Sequence, residues 1–122
     1  MRGYFFAPTV ISDGNESSTL LYEEVFGPFV AVVKFDNLQE VVEKANSTPY
    51  GLSASIWSKS IDNITSVASS LRVGTVWCNC WMVRELNMPF GGTKDSGNGR
   101  DGTPDSFDFY SEKKNVCIKL GN

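Results

Sequence analysis

A chain of 122 residues that is 41% hydrophobic has enough apolar content for a sizeable core, and too much for a disordered segment. Eleven Lys and Arg against 14 Asp and Glu leave a net charge of −3 with no basic cluster, which argues against a nucleic-acid partner. No apolar run approaches the roughly 18 residues of a membrane span, and the first ten residues lack a charged and then apolar leader pattern, so neither membrane insertion nor secretion is expected.

Residues 4–11 are aromatic and β-branched but interrupted by Pro8, the pattern of a short or edge strand. Residues 12–18 are rich in Asp, Gly, Asn and Ser and read as a solvated loop. A brief helical turn over 20–25 would deliver Phe26, and Gly27-Pro28 would end it. Residues 29–35 are almost wholly apolar, which suits a strand covered on both faces, as in a parallel sheet.

Asp36 is placed to cap a helix, with Gln39 three residues on and Leu38, Val41, Val42 and Ala45 along one face. Glu40 and Lys44 form an i, i+4 pair on its other side, and Pro49-Tyr50-Gly51 stops it. Residues 52–57 read as a strand. Ser60 caps a second amphipathic helix bearing Ile61, Ile64, Val67, Ala68 and Leu71, with Arg72 in the last turn and Gly74 beyond. A third strand follows over 75–80. The alternation predicts an α/β fold, with right-handed crossovers, a parallel sheet and helices on its faces. Residues 81–100 are glycine-rich and loop-like, and a last strand is expected over 115–120.

Three cysteines are an odd number, against a disulfide framework. Cys78 and Cys80, at i and i+2 of the third strand, would share a face about 7 Å apart, awkward for a disulfide and wrong for a redox turn. With no histidine and no gathered carboxylates, no metal site is expected. Reduced cytoplasmic thiols are the simplest reading. The Asn-x-Ser/Thr triplets at Asn15, Asn46 and Asn63, without a leader, read as chance matches.

Gly97-Asn98-Gly99-Arg100-Asp101-Gly102 matches G-x-G-x-x-G, yet too few residues follow to build the βαβ unit that a dinucleotide fingerprint requires. Gly92 and Gly97 imitate half a P-loop, but Asn98 stands where the phosphate-binding lysine belongs. A tight loop approaching a ligand or a neighbouring backbone explains these glycines better.

Three signatures occur in order: Gly3-Tyr4-Phe5-Phe6-Ala7-Pro8-Thr9-Val10, then Glu23-Glu24-Val25-Phe26-Gly27-Pro28, then Pro89-Phe90-Gly91-Gly92-Thr93-Lys94-Asp95-Ser96-Gly97-Asn98-Gly99-Arg100. Together they resemble the C-terminal part of an NAD-dependent aldehyde dehydrogenase, over nearly the whole chain. The resemblance implies part of that family's three-layer parallel-sheet catalytic domain over residues 1–110, then an oligomerisation strand and tail over 111–122. It implies NAD as cofactor, with Glu24 bonding the nicotinamide ribose and Phe26 packing the nicotinamide end. A carboxylate can accept from both ribose hydroxyls, and a ring can fix the face that receives hydride. Phe90 matches a position lining the substrate tunnel.

Trp81-Met82-Val83-Arg84-Glu85-Leu86-Asn87 resembles the branch of the family that oxidises 2-aminomuconic semialdehyde, and implies that Arg84 holds a substrate carboxylate through two parallel charge-assisted bonds. An intraloop ion pair with Glu85 is the alternative role for Arg84. Asp101 departs from the family's glutamate by one methylene, which puts its deacylation-step role in doubt. The stretch Asn115-Val116-Cys117-Ile118-Lys119-Leu120 resembles the terminal strand that pairs across a subunit boundary, implying a homo-oligomer.

In family chemistry a cysteine thiolate attacks the aldehyde, hydride passes to NAD, and a glutamate-activated water releases the acid. None of Cys78, Cys80 and Cys117 matches the nucleophile's surroundings. The expectation is therefore a portion that carries no catalytic thiol and is inactive alone. The alternative is a non-catalytic module that associates with intact subunits through its last strand.

Overall fold

The structure, a computed structural model, describes residues 2–12, 18–102 and 104–121. Most of the loop expected over 12–18, and the Asn15 triplet with it, lies outside the described residues. Strand β1 (Thr9–Ser12) starts directly after Pro8, so the aromatic residues ahead of that proline are not part of it. Helix α1 (Thr19–Tyr22) is a single turn capped by Ser18, and strand β2 (Phe29–Val32) runs parallel to β1, Thr9 opposite Phe29. Helix α2 (Leu38–Asn46) is followed by the two-residue strand β3 (Tyr50–Gly51) and by β4 (Ser53–Ile56). Helix α3 (Ile61–Ser70) then crosses to β5 (Thr75–Cys78), which pairs parallel with β4, Ser53 opposite Thr75 and Ile56 opposite Cys78. Strand β6 (Thr93–Lys94) returns antiparallel to β3, and helix α4 (Asp105–Phe109) follows.

The α/β class with parallel strands is as expected. The single sheet is not: among the described residues β2 and β4 are not hydrogen-bonded neighbours, and three two-stranded ladders stand in its place. An apolar run marks a strand; it does not say which strand lies beside it. The glycine-rich segment, loop-like by sequence, also carries β6. Its two residues are too few for any periodicity, and their partner β3 is over 40 positions away.

The cap of α2 falls one residue later than expected. Asn37, rather than Asp36, accepts from the Glu40 N–H at 3.0 Å, and the Glu40 carboxylate reaches back to the Asp36 N–H at 2.7 Å. This is the reciprocal logic of a capping box, with Asp36 giving only its backbone donor. Glu40 also pairs with Lys44 at 2.7 Å, as the spacing predicts. The Asp36 N–H first, and the Lys44 ammonium next, hold the Glu40 carboxyl below the usual carboxylate range. Its contribution to stability is therefore complete above the ordinary carboxylate pKa and is lost as pH falls through the lowered value. The melting-temperature gap between the native protein and Glu40→Gln is expected to shrink from about pH 7 to about pH 3. A gap independent of pH would contradict this.

Helix α3 begins at Ser60, whose hydroxyl accepts from the Asn63 N–H. Its apolar stripe supplies Ile64 and Val67, which with Trp77 of β5 are the buried hydrophobic side chains among the described residues. Ile61 of the expected stripe stays exposed, at the helix start. Asn46 joins the two helices: its side chain donates to Ser70 O at 2.9 Å and accepts from the Arg72 N–H at 2.7 Å. An amide so engaged is a poor glycan acceptor, in keeping with a chance triplet.

Strand β5 ends at Cys78 because Asn79 adopts a left-handed backbone, φ 54°. Cys80 is therefore off the strand, and the expected shared face of Cys78 and Cys80 does not form. The Asn79 side chain instead brackets Ser58, accepting from its N–H and donating to its carbonyl, both at 2.9 Å. All three thiols are free. Residues 111–121 form neither helix nor strand, and Val116, Ile118 and Leu120 are exposed. A strand needs a ladder partner, and none of the described residues supplies one to 115–120.

The 122 residues leave 10230 Å² accessible, against about 6,500 Å² for a compact monomer of this size. Tyr4, Phe5, Phe6, Val30, Val32 and Phe107 are among the large apolar side chains left in solvent. No helix among the described residues is long and apolar enough to cross a membrane.

Candidate active site

Ligands of open parallel sheets gather beyond the carboxyl ends of the strands. Beyond the end of β5 the chain turns twice through left-handed residues, Asn79 and Met82 (φ 57°), and then carries Arg84. Trp77, at the third position of β5, donates its indole N–H to Val83 O at 2.7 Å. The same ring meets Trp81 edge-on at 5.1 Å and lies tilted against Phe90 at 6.4 Å. The Arg84 guanidinium sits over the Phe90 ring, 4.6 Å from its centroid. An exposed cation on an aromatic face gains about 0.5–1 kcal/mol, so the pair is held loosely enough to accept a carboxylate. Arg84 makes no ion pair with Glu85 among the described residues.

Phe90 and Asp101 are brought opposite each other by a two-bond antiparallel bridge, Phe90 N–H to Asp101 O at 2.8 Å and the reverse at 2.7 Å. The bridge closes the glycine loop. Arg100 fastens it from inside, donating to Gly92 O and Gly99 O at 2.5 and 2.9 Å. The close-approach reading holds for Gly92 and Gly102, where a Cβ would meet Ser96 O at 2.9 Å and Met88 O at 3.0 Å; Gly99 faces the Phe109 ring instead, and Gly97 has nothing within 4 Å. A Cβ on Gly74 would land on Gly91 O, and one on Gly91 would meet Gly99 O. Lys94, itself left-handed at φ 54°, donates to Asn46 O and Thr48 O and so pins the loop to the end of α2.

Glu24 is exposed and lines a cleft of about 380 Å³ with Tyr50, Leu52, Asp95 and Ser96. A neighbouring cleft of about 320 Å³, lined by Phe90, Arg100, Asp101 and Phe109, shares Leu52 and Ser96 with it. Phe26 lines neither. It is 91% exposed and left-handed at φ 51°, followed by a tight turn in which Phe29 N–H reaches Gly27 O. A non-glycine residue held there costs on the order of 1–3 kcal/mol, strain of the kind that clusters at ligand contacts. The structure thus unites Arg84 with Phe90 and Phe90 with Asp101, and sets Glu24 in the adjoining cleft. The sequence reading did not single out Trp77, Lys94 or Ser96. The contacts of Lys94 and Ser96 join residues far apart in the chain, whereas Trp77 reaches only to Val83, and an indole in a strand needs an acceptor, a signal available in the sequence.

Around Glu24 the polar lining is acidic and hydroxylic: Glu23, Glu24, Asp95, Tyr22, Tyr50 and Ser96. Such a set suits sugar hydroxyls and repels phosphate.

The chain belongs to the aldehyde dehydrogenase family, whose sequence model matches residues 1–116. It is similar to 2-aminomuconic semialdehyde dehydrogenase of Mus musculus, 53% identical over 117 residues, and of Homo sapiens, 50% identical, each alignment covering 96% of this chain and 24% of the relative. Among solved structures it is similar to an aldehyde dehydrogenase from Bacillus cereus in its NAD+ complex, with 41% identity and a TM-score of 0.90 over 99% of this chain and 25% of that one. The chain therefore spans about a quarter of the length of the curated relatives it matches.

Proposed function

We propose that these residues are part of an NAD-dependent aldehyde dehydrogenase that oxidises a carboxylate-bearing semialdehyde, of the kind named in 2-aminomuconic semialdehyde dehydrogenase, to the acid. The observation that carries this reading is Arg84 poised on Phe90 in a Trp-x-x-Arg-Glu-Leu-Asn segment. A guanidinium there can turn both N–H donors toward a carboxylate while Phe90 flanks the substrate's carbon chain.

Glu24 and Phe26 would hold NAD, and the acidic lining around Glu24 favours the nicotinamide ribose there over a phosphate. Bound there, NAD would supply the hydride acceptor for the oxidation. Asp101, bridged to Phe90, stands at the rim of the neighbouring cleft, where its short side chain can order water near the reacting end. The attacking thiolate is supplied by residues outside these 122. Cys78, Cys80 and Cys117 are free thiols, with Cys78 and Cys117 exposed.

Residues 1–110 then serve the catalytic and cofactor region, and 111–122 an oligomerisation strand and tail. Pairing of residues 115–120 with a second subunit would supply the ladder partner that the described residues lack. The free thiols fit a reducing compartment such as the cytoplasm.

The test follows NADH formation at saturating NAD in the complete polypeptide, with a carboxylate-bearing aldehyde and a neutral one of equal length. At least a tenfold higher kcat/KM, roughly 1.4 kcal/mol, is expected for the acidic substrate. Equal values would remove the substrate assignment, and no NADH from either aldehyde would remove the activity.

A further inference from the structure

Between the end of β5 and Phe90 the chain makes an excursion with little to hold it. Val83, Leu86 and Met88 are exposed, and the backbone bond within residues 83–89 is Met88 N–H to Glu85 O at 3.0 Å. One side chain reaches this arm from the core. Trp77 is 7% exposed, and its single donor ends on Val83 O, the carbonyl immediately before Arg84. Its ring also lies against Phe90, over which the guanidinium rests. The indole therefore fixes both partners of the Arg84–Phe90 pair, one by a hydrogen bond to backbone and the other by ring contact. The two left-handed turns at Asn79 and Met82 are what return Val83 to the indole.

We propose that Trp77 is a positioning residue for substrate selection: its N–H sets the reach of Arg84 over Phe90. The proposal rests on the reading that Arg84 receives a substrate carboxylate. Without the indole N–H the Val83 carbonyl loses its tether and Arg84 samples more positions, so the acidic substrate binds less well. A neutral aldehyde, which does not use Arg84, is unaffected. A purely structural tryptophan would change both substrates together, or neither.

The experiment compares Trp77→Phe, Arg84→Ala and the double variant in the complete enzyme, with acidic and neutral aldehydes. Replacement of Trp77 by benzothienylalanine, which keeps the ring volume and lacks the N–H, decides the matter should Trp77→Phe fold poorly. The expected result is a KM for the acidic aldehyde raised about fivefold by loss of the N–H. KM for the neutral aldehyde should stay within about twofold, and the Trp77 effect should vanish on top of Arg84→Ala. Selective loss in Arg84→Ala without selective loss in either Trp77 variant would overturn the proposal while leaving the carboxylate reading intact. A Trp77 effect that persists undiminished in the double variant would also overturn it. Equal effects of Arg84→Ala on both substrates would remove the carboxylate reading, and this inference with it.

Discussion

Gly74→Ala is expected to destabilise the complete polypeptide by about 4 kcal/mol or more, enough to cost most of the soluble yield. The new methyl would fall on the carbonyl oxygen of Gly91, with Gly91 C at 2.6 Å and Gly92 Cα at 3.0 Å. All three atoms are backbone, so no side chain can swing aside. Gly91 cannot retreat either, because its own far side faces Gly99 O and the Arg100 side chain. Phe90, next in the chain, would be displaced with it. Gly97→Ala is the control: its Cβ would meet nothing within 4 Å, and only its φ of +104° is strained. About 1 kcal/mol is expected there. Thermal melting and soluble yield of the two variants provide the check, and near-equal losses would refute the backbone-on-backbone account.

Arg84→Ala should lower kcat/KM for the acidic aldehyde by roughly 30- to 1,000-fold, about 2–4 kcal/mol. That is the range for removing one partner of a desolvated, charge-assisted pair. The neutral aldehyde should change by less than threefold, about 0.6 kcal/mol, because Arg84 offers it only the edge of a cation–π pair. Arg84→Lys keeps the charge without the fork and should recover a minor part of the loss. Steady-state kinetics on both substrates settle the question, and parallel losses would identify Arg84 as a scaffold for Phe90.

Local signals gave the elements and the family signatures gave the candidate residues; pairing between distant segments was harder to read. The α3 cap at Ser60, the Glu40–Lys44 pair and the β4–α3–β5 unit all follow from patterns within one short stretch of chain, the longest running from Ser53 to Cys78. The cap of α2 slipped by one because Asp36 and Asn37 are both good capping residues, and only the backbone angle chooses between them. The β3–β6 ladder, the Lys94 clamp and the indole tether depend on contacts between positions that no periodicity relates. Cys80 left its expected face because one asparagine took a left-handed turn, a choice that the β-branched run before it conceals. Asn115 to Leu120 alternates as a half-buried strand should, yet alternation describes a face and does not supply the neighbour that covers it.

The accessible surface has a consequence in time as well as in space. Bare rings and open ladder edges are what chaperones grip and what aggregates grow from. Until other polypeptide closes over Tyr4, Phe5, Val30 and Val32, this segment would present itself to the cell as unfinished protein. Its shielding during synthesis, more than its own marginal core, would then decide how much of it survives to full assembly.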